Sequence, residues 1–197
     1  MRSWRTAHAS VIGTSHLASG NPCQDAGRCE VVQAEDGSDI LLAAVADGAG
    51  SAPCSDTGAR MTVDAFLSTF RLLVAENSDL GNLDRQRVEE WLGRTRADLA
   101  TTAEAEERPL SDYACTFLGA IVGPGRAMFV QVGDGAIVVR DAGADGLSWV
   151  FWPQNGEFAN TTKQKPLPRV WERARKRTPA LRFGGRDGWL EPRLKCG

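Results

Sequence analysis

Asp25, Asp47 and Asp134 stand beside glycine or other small residues at the ends of apolar runs, where a carboxylate contributes nothing to packing. Asp47 is the clearest case. The stretch Leu41–Ala59 reads LLAAVADGAGSAPCSDTGA, an apolar run that breaks at Asp47-Gly48-Ala49-Gly50 before a helix-like segment. An ionised carboxylate at the mouth of a buried strand is costly unless something cationic neutralises it. Gly48 and Gly50 permit positive φ and close backbone approach there. Asp25 closes the loop Asn21-Pro22-Cys23-Gln24-Asp25, and Asp134 sits in Gly-Asp-Gly. Asp-Gly alone is ordinary turn chemistry. If the three turns meet, however, the carboxylates repel and take up protons unless a divalent cation holds them. All-oxygen ligation favours Mg²⁺ or Mn²⁺ over zinc. Two such ions could lower the pKa of a bridging water and aim it at a phosphate monoester. That chemistry needs no nucleophilic side chain, and the chain shows no Ser/His/Asp arrangement.

The elements that must position these turns follow from hydrophobic period. Arg5–Ile12 alternates roughly and predicts a strand, followed by a turn-rich loop over 13–24. Strands are predicted over 27–34 and 40–46, joined by Glu35-Asp36-Gly37-Ser38. The second is apolar nearly throughout, as for a strand covered on both faces. Ala59, Val63, Phe66, Phe70 and Leu73 recur at three or four residues, predicting an amphipathic helix from about 55 to 74. A second helix is predicted over 82–107, with Val88, Trp91, Leu92, Thr95 and Leu99 on one face and Pro109 after its end. Strands resume over 114–122, 126–132, 136–140 and 147–152, with Gly123-Pro124-Gly125 and Gly133-Asp134-Gly135 as tight connections. Hairpin-length links make the pairing mostly antiparallel. Two sheets with a helical pair outside bury these faces most simply.

The chain has 197 residues, 42% hydrophobic and 24% charged, which suits one globular domain. No apolar run approaches the roughly 20 residues that span a bilayer, and Met1-Arg2-Ser3-Trp4-Arg5 is not followed by a signal-peptide core. The expected location is the cytoplasm, with no membrane contact. The five cysteines (Cys23, Cys29, Cys54, Cys115 and Cys196) form no C-x-x-C pair and read as reduced thiols. Neither His8 nor His16 has zinc-ligand spacing with a cysteine. The net charge of −2 conceals an asymmetry: residues 1–162 hold 12 Arg, no Lys and 22 acidic residues, whereas 163–197 hold 11 Lys plus Arg and 3 acidic residues.

The segments GTSHLASGNPCQDA (13–26), LLAAVADGAGSAPCSDTGA (41–59), ACTFLGAIV (114–122) and FVQVGDGAIVVR (129–140) resemble, in order and spacing, the bacterial protein phosphatase 2C (PPM-type) family. The resemblance covers about residues 5–162. It extends to NGEFANTT (155–162), which looks like the flap of the bacterial subfamily. It implies an α+β fold: a PPM-type β-sandwich of two mainly antiparallel sheets flanked by helices, incomplete at its C-terminal end. It implies hydrolysis of phosphoserine and phosphothreonine on proteins with two Mg²⁺ or Mn²⁺ ions, and a Ser/Thr kinase as a family-level partner. By matched position, Asp47 would ligate both ions and the Gly48 carbonyl one of them. Asp25 would hold the second ion largely through water, with Gln24 where many relatives have Glu. Asp134 matches a motif serving a further, weaker metal. Arg5 and His16 are the candidates for the phosphate-binding group.

The family's later Ser-Asp-Gly and Asp-Asn motifs are not matched. Asp187-Gly188 resembles the first, but no buried strand precedes it. Residues 163–197 lack the alternation that further strands require. They form a basic, Pro-containing tail, expected to be disordered or to arise from a reading-frame shift near codon 162. Reading the gene in its other frames tests the latter. Two alternatives accompany the phosphatase reading: a catalytically dead pseudophosphatase that binds phosphoprotein, and binding of nucleic acid or an acidic partner through the tail. Nucleic acid is a poor fit, since the tail has no recognisable binding motif.

Overall fold

The structure is a computed structural model and describes residues 4–76, 80–140 and 146–151 together with the backbone of 169–172. Its elements are α1 (Thr14–Ser19), β1 (Ala26–Gln33), β2 (Asp39–Ala46), α2 (Ser55–Glu76), α3 (Arg85–Ala105), β3 (Phe117–Gly123), β4 (Arg126–Val132), β5 (Val138–Arg140), β6 (Leu147–Trp149) and β7 (Arg169–Glu172). Five strands form one sheet in the order β1-β2-β3-β4-β7, and β5 and β6 form a second. Every pairing is antiparallel. This is the expected α+β arrangement of antiparallel sheets with helices outside.

Antiparallel order fixes which turns can meet. The start of β1, the end of β2, the start of β3 and the end of β4 all fall on one edge of the sheet. Register makes this concrete: Ala26 pairs with Ala46, Val45 with Leu118, and Phe117 with Val132. Asp25 immediately precedes β1, Asp47 immediately follows β2, and Asp134 lies two residues beyond β4.

One face of the large sheet is sealed by α2 and α3. The apolar stripe of α2 buries Ala59, Val63, Phe66, Leu67, Phe70 and Val74 against Ile40, Leu42 and Ala44 of β2 and Ile121 of β3. Phe66, Trp91 and Phe117 join α2, α3 and β3 in an aromatic cluster, with the Phe66–Trp91 rings edge-on at 5.3 Å and Trp91–Phe117 at 4.8 Å. Asp84 caps α3 by accepting the Arg87 N–H at 2.9 Å. A smaller cluster on the opposite face gathers Val122, Ala127, Phe129 and Val139 with Trp4, Leu41 and Phe151.

Several sequence expectations are corrected. Arg5–Ile12 forms no strand, because it is held by side chains rather than by a ladder: Trp4 Nε1 donates to the Asp39 carbonyl and Ser10 Oγ to the Asp25 carbonyl. The loop over 13–24 contains the six-residue helix α1, too short to show a period, closed by Gly20 at φ 72°. β2 is not covered equally on both faces: Ile40, Leu42, Ala44 and Ala46 are buried, while Val45 is 48% exposed. A strand also occurs beyond residue 162, where Arg169–Glu172 pairs with β4. Backbone pairing to an open strand edge needs no hydrophobic alternation, which is why the sequence pattern did not signal β7.

Candidate metal centre

The Asp47 turn is held from three directions. Thr116 N–H donates to the Asp47 carbonyl at 2.8 Å, and Asp47 N–H donates to Thr116 Oγ1 at 3.3 Å. Gly48 bridges Cys115 and donates its N–H to the Gln24 carbonyl at 3.2 Å. Ala49 N–H donates to the Ala114 carbonyl at 2.9 Å. Only glycine fits at 48: a Cβ there would stand 2.6 Å from the Gln24 carbonyl oxygen and 2.9 Å from Ser55 Oγ. Gly133, at φ 100°, packs against Thr116, and a Cβ on it would lie 2.8 Å from Thr116 Cγ2. Thr116 therefore ties the Asp47 turn to the turn that carries Asp134.

The three sequence-predicted aspartates do converge. Partial burial pushes the Asp47 carboxyl above its ordinary pKa. The charge of Asp25 and a side-chain hydrogen bond with it add to the shift, and the charge of Asp134 adds less. Asp25 and Asp47 thus lie close together at this end of the sheet, with Asp134 acting at longer range. No cationic side chain among the described residues pairs with any of the three. Among those residues, no three His, Cys, Asp or Glu side chains are drawn together tightly enough to cage one ion.

The residues nevertheless fit a hard divalent cation. The donors are carboxylate and carbonyl oxygens. No cationic side chain among the described residues offsets their charge. Two buried oxygens beside the turn, Gln24 Oε1 and Ser55 Oγ, have no hydrogen-bond partner among the described residues, as expected where water or an ion completes the shell. Sequence reasoning did not single out Ser55 or Thr116 as parts of this site. Their roles come from contacts distant in sequence.

The structure does not bring Arg5 to the carboxylates. Its neighbour Trp4 is bonded to Asp39 at the far end of β2 from Asp47, a separation of about 26 Å at 3.3 Å per residue. His16 is half-buried on α1, with Nδ1 at 3.2 Å from the Pro22 carbonyl, and braces the loop ahead of Asp25. The flap-like segment 155–162 and Asp187-Gly188 lie outside the described residues.

A family model described as Protein phosphatase 2C matches residues 12–182, passing the charge boundary near residue 162 and taking in β7. The chain is 38% identical over 160 residues to Serine/threonine-protein phosphatase 3 of Escherichia coli (strain K12), covering 81% of this chain and 62% of that protein. Among solved structures, a substituted variant of a bacterial serine phosphatase superposes with a TM-score of 0.53 at 19% identity, over 81% of this chain and 65% of that one. This last likeness concerns the fold.

Proposed function

We propose that this chain, which belongs to the protein phosphatase 2C family, hydrolyses phosphoserine and phosphothreonine on proteins at a divalent-metal centre formed by Asp25, Asp47, the Gly48 carbonyl and Asp134. The observation that carries the reading is the meeting of Asp25 and Asp47, within the field of Asp134, at one end of the sheet with no cationic side chain among the described residues beside them. Asp47 would hold the ions centrally, since its backbone is fixed on both sides by Thr116 and its carboxyl faces Asp25. Asp25 would act largely through water, and Asp134 would serve a more peripheral position. When bound, Mg²⁺ or Mn²⁺ would supply an acidified water and charge stabilisation at the phosphoryl group. The turn's part is to keep the carboxylates fixed before substrate arrives, so that little reorganisation is needed.

A phosphoprotein substrate and a partner Ser/Thr kinase follow from the family reading. Among the described residues no helix is long and apolar enough to cross a membrane, and a cytoplasmic location is part of the same proposal. The charge shift near residue 162 supports a boundary between the phosphatase body and a basic tail, with β7 reaching back across it.

The test is Mn²⁺-dependent hydrolysis of a phosphothreonine peptide by the full chain and by Asp47→Asn. The expected result is turnover that Asp47→Asn lowers at least about 100-fold, beyond the roughly 10–100-fold typical of groups that only orient a metal's ligands. Turnover equal in the two proteins, or independent of Mn²⁺, overturns the assignment. Phosphopeptide binding without hydrolysis would identify a pseudophosphatase.

A further inference from the structure

Gln24 is more than nine-tenths buried and grips the Asp47 turn at two points. Its backbone carbonyl accepts the Gly48 N–H at 3.2 Å, and its side-chain Nε2 donates to the Ala52 carbonyl at 3.4 Å. The segment Gly48–Ala52 is thereby held at both ends by one residue, the immediate neighbour of Asp25. Gln24 Oε1 is buried with no hydrogen-bond partner among the described residues, 3.9 Å from where a Cβ on Gly50 would lie.

We infer that Gln24 is a positioning residue whose amide clamps the Asp47 turn to the Asp25 loop and so sets the spacing of the two carboxylates. The inference rests on reading those carboxylates as a divalent-metal site. In this chain position 24 supplies a hydrogen-bond donor to Ala52 and an uncharged oxygen. A carboxylate of the same length cannot donate to the Ala52 carbonyl, and it would set acceptor against acceptor in a buried place. It would also add a third negative charge beside Asp25 and Asp47. If Gln24 were instead a substitute metal ligand, the same replacement would strengthen cation binding. The two roles predict opposite signs for one substitution.

The experiment compares the full chain with Gln24→Glu and Gln24→Met. Mn²⁺ affinity is measured from the electron paramagnetic resonance of free Mn²⁺, well below the melting range, with folding checked by circular dichroism. Both variants are expected to bind Mn²⁺ about 10–100-fold more weakly, as for the loss of a group that orients metal ligands. In chelator, Gln24→Glu is expected to melt below Gln24→Met. Tighter Mn²⁺ binding by Gln24→Glu overturns the clamp in favour of a ligand. Unchanged affinity in both variants, even with lowered melting temperature, reduces Gln24 to packing and also overturns it. Should neither variant fold, the unsubstituted chain still decides: the Gln24 side-chain amide protons should exchange slowly, and fast exchange refutes the bond to Ala52. If the unsubstituted chain binds no Mn²⁺, the metal reading fails, and the amide exchange and the melts in chelator judge the clamp by themselves.

Discussion

Asp47 combines a fixed backbone with a destabilised charge. Its carboxyl pKa lies above the ordinary value of 3.8 in the folded chain, so the folded state holds the proton more tightly than the unfolded state. The sign follows from linkage: metal-free stability is greatest below the unfolded value and falls as pH rises through the interval up to the raised folded value. Asn at this position cannot ionise and escapes that loss. In chelator, Asp47→Asn should therefore melt above the unsubstituted chain at neutral pH, the gap opening across the carboxylate range and then levelling. Added Mn²⁺ should raise the melting temperature of the unsubstituted chain and leave Asp47→Asn unmoved. Thermal melts over a pH series check both halves, and a gap that closes as pH rises contradicts the argument. The three aspartates were legible in sequence because a charge and glycines interrupting an apolar run leave a local mark. Thr116 leaves none, since its partner Asp47 is 69 positions away. The surroundings of Arg5 were unreadable for a similar reason: the neighbouring indole of Trp4 is fixed by a partner 35 positions away.

At the scale of elements, α2 must both seal the sheet and deliver its first turn to the site. Gly58 makes this possible. A Cβ there would lie 2.1 Å from the Tyr113 carbonyl oxygen, a backbone atom with little freedom to yield. Tyr113 is itself anchored, its hydroxyl donating to Glu106 at 2.6 Å, a contact that raises the phenol pKa. Gly→Ala within a helix ordinarily stabilises by roughly 0.5–1 kcal/mol. At Gly58 the collision should win, giving a net loss of about 1–3 kcal/mol in the manner of an overpacked core. Gly93, in α3, has nothing within 4 Å of its would-be Cβ. Gly93→Ala should show the ordinary gain, about 0.5–1 kcal/mol. Urea unfolding of the two variants measures the contrast, and equal effects would show that helix propensity alone governs both sites. The two long helices were readable from their apolar period, and their observed limits lie within three residues of those read from the pattern. α1 was not readable, because six residues do not establish a period. β7 was not, because its evidence is a backbone edge.

For the whole molecule, the decisive feature is unequal cover on the two faces of the five-stranded sheet. Leu42 and Val45 belong to the same strand and differ in the face they present. Leu42 is fully buried beneath α2, whereas Val45 is 48% exposed on the opposite face, as Val31 is at 42% on β1. Sequence could not distinguish these faces, since β2 is apolar on both and only the helices decide which is sealed. The chain spans 62% of the curated relative's length, so the comparison concerns the body described and not a complete relative. Leu42→Ala removes apolar volume from a closed core and should cost about 2–5 kcal/mol. Val45→Ala removes groups that already meet water and should stay within about 0.5 kcal/mol of the unsubstituted chain. Paired urea melts at low protein concentration measure the difference. A cost above about 1.5 kcal/mol for Val45→Ala, the range of a fully buried valine, would mean that this face is closed in solution and that the sandwich is sealed on both sides.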